Sequence, residues 1–106
     1  MNSTLTDLDE AVRVLREWAD TESNVKHVWL FGSRIRGNAR ADSDLDVAVE
    51  PVHCDDVFCE HRRIWRGQLA GRTRLTLDVW EYRPELDDRI KNALTEASRL
   101  IFERNP

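Results

Sequence analysis

The chain has 106 residues, 41% of them hydrophobic, and carries 20 acidic against 16 basic side chains for a formal net charge of −4. That length suits one domain, residues 1–106, around one core. No stretch approaches the roughly 20 apolar residues of a membrane span, and the acidic balance speaks against a protein that grips long nucleic acid by its backbone. Met1 to Glu10 is polar and acidic, unlike a secretory signal, so a cytoplasmic location is expected.

Thr6 can cap a helix, with Asp9 answering three positions on. Leu8, Val12, Leu15 and Ala19 then recur at helical spacing with Trp18 beside them. Thr21 to Asn24 is a polar break, and Val25 to Phe31 reads as a strand. Gly32 to Asp42 is too short for a full crossover and suits a turn, a short helical piece and a loop. In Asp44–Glu50 the aliphatic Leu45, Val47 and Val49 alternate with Asp44, Asp46, Ala48 and Glu50, so the two sets face opposite ways. Pro51 ends that strand. Asp55 to Ala70 reads as a helix with Phe58, His61, Trp65 and Leu69 on its inner stripe, stopped by Gly71. Arg74 to Tyr82 is a third strand, with Leu75, Leu77 and Val79 on one face and Thr76, Asp78, Trp80 and Tyr82 on the other. Pro84 suits the first turn of a last helix that turns Leu86, Ile90, Ala93, Leu94 and Ala97 inward. Leu100 to Phe102 continues it or forms an edge strand, and the strand is favoured.

The chemistry concentrates between Gly32 and Asp46. Asp44 and Asp46 are two apart on a strand, so both carboxylates project from one face. If the aliphatic faces of the second and third strands pack on the helices, Asp78 emerges beside them. Three crowded carboxylates repel one another, and a hard divalent cation such as Mg²⁺ turns them into ligands. Two such ions can clamp a displacement at phosphorus. Gly32 lets backbone approach a phosphate, Ser33 offers a hydroxyl donor, and the N–H groups of the following turn point at an anion. Arg34 and Arg36 add positive charge, or one of them pins the loop to the acids. Arg62, Arg63, Arg66, Arg72 and Arg74 form a second basic cluster, suited to phosphates, an acidic partner or plain solvation. His53, Cys54, Cys59 and His61 superficially resemble a zinc site, but the spacing fits no established pattern and reduced thiols are expected.

At these residues the chain resembles the minimal nucleotidyltransferases of the DNA polymerase β superfamily. Their signature is Gly-Ser, ten residues, then Asp-x-Asp, and Arg34 through Ser43 supply that interval between Ser33 and Asp44. The longer forms Gly-Ser-Arg-x-Arg-Gly, at Gly32–Gly37, and Ser-Asp-Leu-Asp, at Ser43–Asp46, are also present, with Ile35 standing where Ala is frequent. The resemblance implies an α+β nucleotidyltransferase fold, an α/β-type sandwich with a mixed sheet of three to four strands flanked by helices. It implies two Mg²⁺ ions and ATP as substrate. Gly32 and Ser33 would bind the triphosphate with Arg34 and Arg36 nearby, Asp44 and Asp46 the metals, and Asp78 a metal and the acceptor hydroxyl. It further implies an antitoxin that transfers AMP to a tyrosine of a HEPN RNase toxin in a hetero-oligomer. The alternatives are neutralisation by binding alone, or transfer to a small molecule such as an aminoglycoside, for which 106 residues leave little room.

Overall fold

The computed structural model describes residues 6–53 and 61–105. Its elements are α1 (Asp7–Thr21), β1 (Val25–Phe31), α2 (Ser33–Arg36), β2 (Leu45–Pro51), α3 (His61–Leu69), β3 (Leu77–Glu81), α4 (Asp88–Glu96) and β4 (Ser98–Glu103). The strands form one mixed sheet in the order β3-β2-β1-β4. β1 is antiparallel to both β2 and β4, and β2 runs parallel to β3. Parallel neighbours require a crossover, which carries α3. This is the expected α+β arrangement, a mixed sheet of four strands flanked by helices.

Alternation along the strands divides the apolar residues between two layers. Val28, Leu30, Leu45, Val47, Val49, Val79 and Ile101 face α1 and α3, where they meet Val12, Leu15, Trp18, Trp65 and Leu69. The Trp18 indole N–H donates to Gln68 Oε1 at 2.8 Å, and its ring meets Trp65 edge-on at 6.1 Å. Those contacts fix α1 against α3. On the other face Phe31, Ala48, Tyr82 and Ile90 form a smaller cluster under α4, with Trp29, Trp80, Ala93 and Leu94 around it. The Thr6 cap is present in both directions: Asp9 N–H donates to Thr6 Oγ1 at 3.0 Å, and Thr6 N–H to Asp9 Oδ2 at 3.3 Å.

Arginines secure the sheet's margins. In β4, Phe102 pairs with Val28 and Leu100 with Trp29, so Ile101 is an extra residue, and its carbonyl accepts from Arg16 Nε at 2.8 Å. At the opposite edge Val79 O accepts from Arg62 Nε at 2.7 Å. Arg104 donates to Val25 O, Ala19 O and Glu22 O, joining the end of β4 to α1 and β1.

Four expectations are corrected. β3 begins at Leu77, not Arg74, because Arg74 N–H turns away to donate to Glu10 Oε1 at 2.8 Å. The last helix begins at Asp88, capped by Asp87 accepting from Ile90 N–H at 3.1 Å. Pro84 and Leu86 lie in the preceding turn, and Leu86 is 68% exposed rather than inward. Ala97 is the extended residue that leads into β4, not part of the helix face. The first part of the Asp55–Ala70 helix, with Phe58, lies outside the described residues, as do Cys54 and Cys59. Among the described residues no helix is long and apolar enough to cross a membrane.

Candidate active site

β1 delivers the chain to Gly32, where φ is 84° and ψ −163°, a conformation open essentially to glycine alone. α2 follows, closed by Gly37 in the left-handed region at φ 87°, whose N–H donates to Ser33 O at 3.0 Å. Phe31 pairs with Asp46 on β2, so the turn lies directly against that acid. A Cβ on Gly32 would stand 2.9 Å from Asp46 Cγ and closer still to Oδ2. The missing side chain is therefore what makes room for the carboxylate.

Asp46 is in turn the register partner of Asp78 across the parallel β2–β3 pairing. Asp44 stands two residues before Asp46, exposed at the entrance to β2. Burial, then the charge of Asp78, then that of Asp44 raise the Asp46 carboxyl above its ordinary value of 3.8, while Arg36 pulls it down. The turn and the three acids thus share one neighbourhood. Among the described residues no group of three or more His, Cys, Asp or Glu side chains is placed to hold a metal ion as the side chains stand, and Asp78 Oδ1 leans toward Arg62 Nη2 at 3.5 Å. The donor set nevertheless suits Mg²⁺: hard carboxylate oxygens, and mutual repulsion that a divalent cation would relieve.

The two loop arginines divide their roles. Arg34 Nε donates to Ser43 O at 2.9 Å and Nη2 to Ala41 O at 3.0 Å, which ties the loop leading to Asp44. Arg36 is the one whose charge reaches Asp46, and its Nη1 is also 3.6 Å from Glu96 Oε1. Ser33 opens α2, half-buried beside the turn.

A pocket of about 310 Å³ opens beside Asp46, lined by Phe31, Trp80, Asp87, Arg89, Ile90 and Ala93. Sequence reasoning does not single out its α4 residues as functional. Trp80 is legible, since it follows Asp78 by two on the same strand face. Nothing local marks Asp87 and Arg89, which reach the site because α4 folds back over the sheet. A larger cavity of about 540 Å³ lies elsewhere, between the end of α3 and β3, among Arg66, Leu69, Arg74, Leu75 and Leu77. The second basic cluster disperses: Arg62 turns toward Asp78, and Arg74 approaches Asp7 and Glu10 at 3.8 and 3.9 Å. His61 lies 2.8 Å from Asn24 Nδ2 and stacks on Trp65.

Comparison with known proteins gives two kinds of likeness. A crystal structure of a toxin–antitoxin with AMP-PNP superposes with a TM-score of 0.66 at 18% identity, over 92% of this chain and 75% of that one. A mutant of the toxin–antitoxin MntA-HpeT gives 0.66 at 16% identity over 95% and 76%. A candidate nucleotidyltransferase from Sulfolobus solfataricus gives 0.65 at 21% identity over 92% and 80%. No curated protein matches. The structural likenesses establish a common fold. The family model described as "Polymerase beta, Nucleotidyltransferase" matches residues 14–106 and goes further: the chain belongs to the polymerase β family of nucleotidyltransferases.

Proposed function

We propose that the protein transfers AMP from ATP to a hydroxyl, that of a tyrosine, on a cognate HEPN RNase toxin, and neutralises the toxin in doing so. The observation that carries the reading is the placement of Asp46 against the Gly32 turn and opposite Asp78. A turn that admits phosphate and a set of acids that suits divalent ions stand side by side, as nucleotidyl transfer requires. The fold shared with a toxin–antitoxin that takes AMP-PNP supports the choice of nucleotide and partner class.

In this reading Gly32 and the first N–H groups of α2 receive the triphosphate, and Ser33 adds its hydroxyl. Asp44, Asp46 and Asp78 would hold Mg²⁺, which when bound would supply charge stabilisation at phosphorus and on the departing pyrophosphate. Asp78 also accepts the proton of the acceptor hydroxyl. That oxygen bonds to the α-phosphorus as the bond to the β-phosphate bridging oxygen breaks. Arg36 partly offsets the burial and like charges that raise the Asp46 carboxyl. The pocket walled by Phe31, Trp80 and Ile90 gives an aromatic acceptor an apolar seat next to Asp46.

Incubation with α-labelled ATP, Mg²⁺ and the partner encoded beside this protein tests the reading. Label is expected on the partner, and none with Asp44→Asn. Neutralisation that survives Asp44→Asn without label would show that binding alone suffices. Label on an added aminoglycoside and not on the partner would redirect the reading to a small-molecule acceptor.

A further inference from the structure

Arg62 does more than secure the margin of β3. It leaves α3, reaches around the outer edge of β3 and arrives on the face that carries the acids. Three contacts hold it there. Its Nε donates to Val79 O at 2.7 Å, its guanidinium carbon lies 4.1 Å above the Trp80 ring, and its Nη2 stands 3.5 Å from Asp78 Oδ1. The first two are close and do not involve Asp78. The third is long for a charge-assisted hydrogen bond and joins two side chains each about one-third exposed.

We propose that Arg62 is a positioning residue that acts as a resident counter-cation for Asp78 and sets how tightly the acids take a divalent ion. The inference rests on the carboxylate assignment made above. Asp78 faces Asp46 across the strands, and their repulsion is felt at Asp46. With no metal ion bound, Arg62 offsets that repulsion from the far side of Asp78. Because the arginine is anchored independently by Val79 O and the Trp80 ring, Asp78 can turn from it to an ion without stranding a buried charge. The guanidinium then remains as a nearby positive charge that opposes the ion. Arg62 thus stabilises the ion-free site and weakens ion binding at once. The contacts suit that double effect: firm to backbone and ring, loose to the carboxylate.

The test is Mn²⁺ binding to the full chain, followed by the electron paramagnetic resonance signal of free Mn²⁺ and without nucleotide or acceptor. Arg62→Met keeps an apolar stem over Trp80 and removes the charge. It is expected to bind Mn²⁺ about three- to tenfold more tightly, the scale of one partly exposed charge pair, with the gap narrowing as salt is added. Arg62→Lys, which keeps the charge, is expected to stay near the parent. A merely structural arginine would give weaker binding in both variants, and that result, or unchanged binding in Arg62→Met, overturns the proposal. If Arg62→Met does not fold, Arg62→Lys and the salt dependence of the parent decide: the parent's affinity must fall less steeply with salt than three uncompensated carboxylates would give. Absence of Mn²⁺ binding in the parent, or binding unaffected by Asp46→Asn, overturns the carboxylate assignment itself and the proposal with it.

Discussion

Asp46 and Asp78 are register partners on neighbouring parallel strands, so their carboxylates leave the same face of the sheet at the ordinary inter-strand spacing of about 4.8 Å between backbones. Two like charges are held together by the strongest organising device in the fold, the β ladder, rather than by a mobile loop. The arrangement costs the ion-free protein stability and is maintained by the core on the other side, where Val47 and Val79 are fully or almost fully buried.

The pH dependence follows from that repulsion. The Asp46 carboxyl titrates above its ordinary value in the fold because of burial and then Asp78 and Asp44. A raised carboxylate favours folding below the unfolded value, and that stability is lost as pH rises through the folded one. Asp46→Asn removes the liability. In the absence of divalent ions the variant is expected to melt higher than the parent at pH 7, with the gap closing near about pH 3 to 4, as thermal scans across pH would show. The same variant is expected to lose nucleotidyl transfer by more than about a hundredfold, a loss that even outer-shell partners of a metal can bring.

Gly32→Ala is expected to fail twice over. The backbone at φ 84° and ψ −163° costs a non-glycine residue about 1–3 kcal/mol. The added methyl also displaces the Asp46 carboxylate, whose Cγ it would approach at 2.9 Å. Chemical denaturation should show the stability loss, and Mn²⁺ titration should show weakened binding in molecules that remain folded.

Arg34→Met separates loop order from charge. Two carbonyls of the 41–43 segment accept from this guanidinium, so their loss should cost about 1–2 kcal/mol. Transfer should slow because Asp44 follows that segment directly. Amide hydrogen exchange is expected to rise across residues 38–44 and not across α4.

Arg104→Ala tests the anchoring of β4. The side chain serves three carbonyls at 2.6–3.1 Å, and its removal is expected to lower stability by about 2–3 kcal/mol. The site, on the opposite end of β1, should keep its ion affinity.

Much of this architecture is readable from residue order. The alternation Leu45-Asp46-Val47-Ala48-Val49 assigns each side chain to a face by its position alone, and the same rule applied to β3 sets Asp78 on the side of Asp46. The Thr6–Asp9 cap is equally local. The failures share a cause. Pro84 is permitted in a helix, but it also favours a turn, and only the Asp87 cap three residues later decides between them. Arg74 belongs by pattern to β3, yet Glu10, 64 positions away in sequence, takes its N–H. Arg62 reads only as one of a basic cluster suited to phosphates, an acidic partner or solvation, because its partners, Val79, Trp80 and Asp78, lie on a strand that the helix meets only after folding. Asp87 and Arg89 enter the pocket for the same non-local reason.

The arginines at the two ends of the sheet have a bearing on how the molecule can be approached. Arg16 occupies the outward carbonyl of Ile101 on β4, beside a bulge, and Arg62 that of Val79 on β3. An incoming strand seeking to lengthen the sheet would meet a guanidinium at either margin. On the α4 side the sheet instead presents a pocket whose wall Trp80 shares with Asp46.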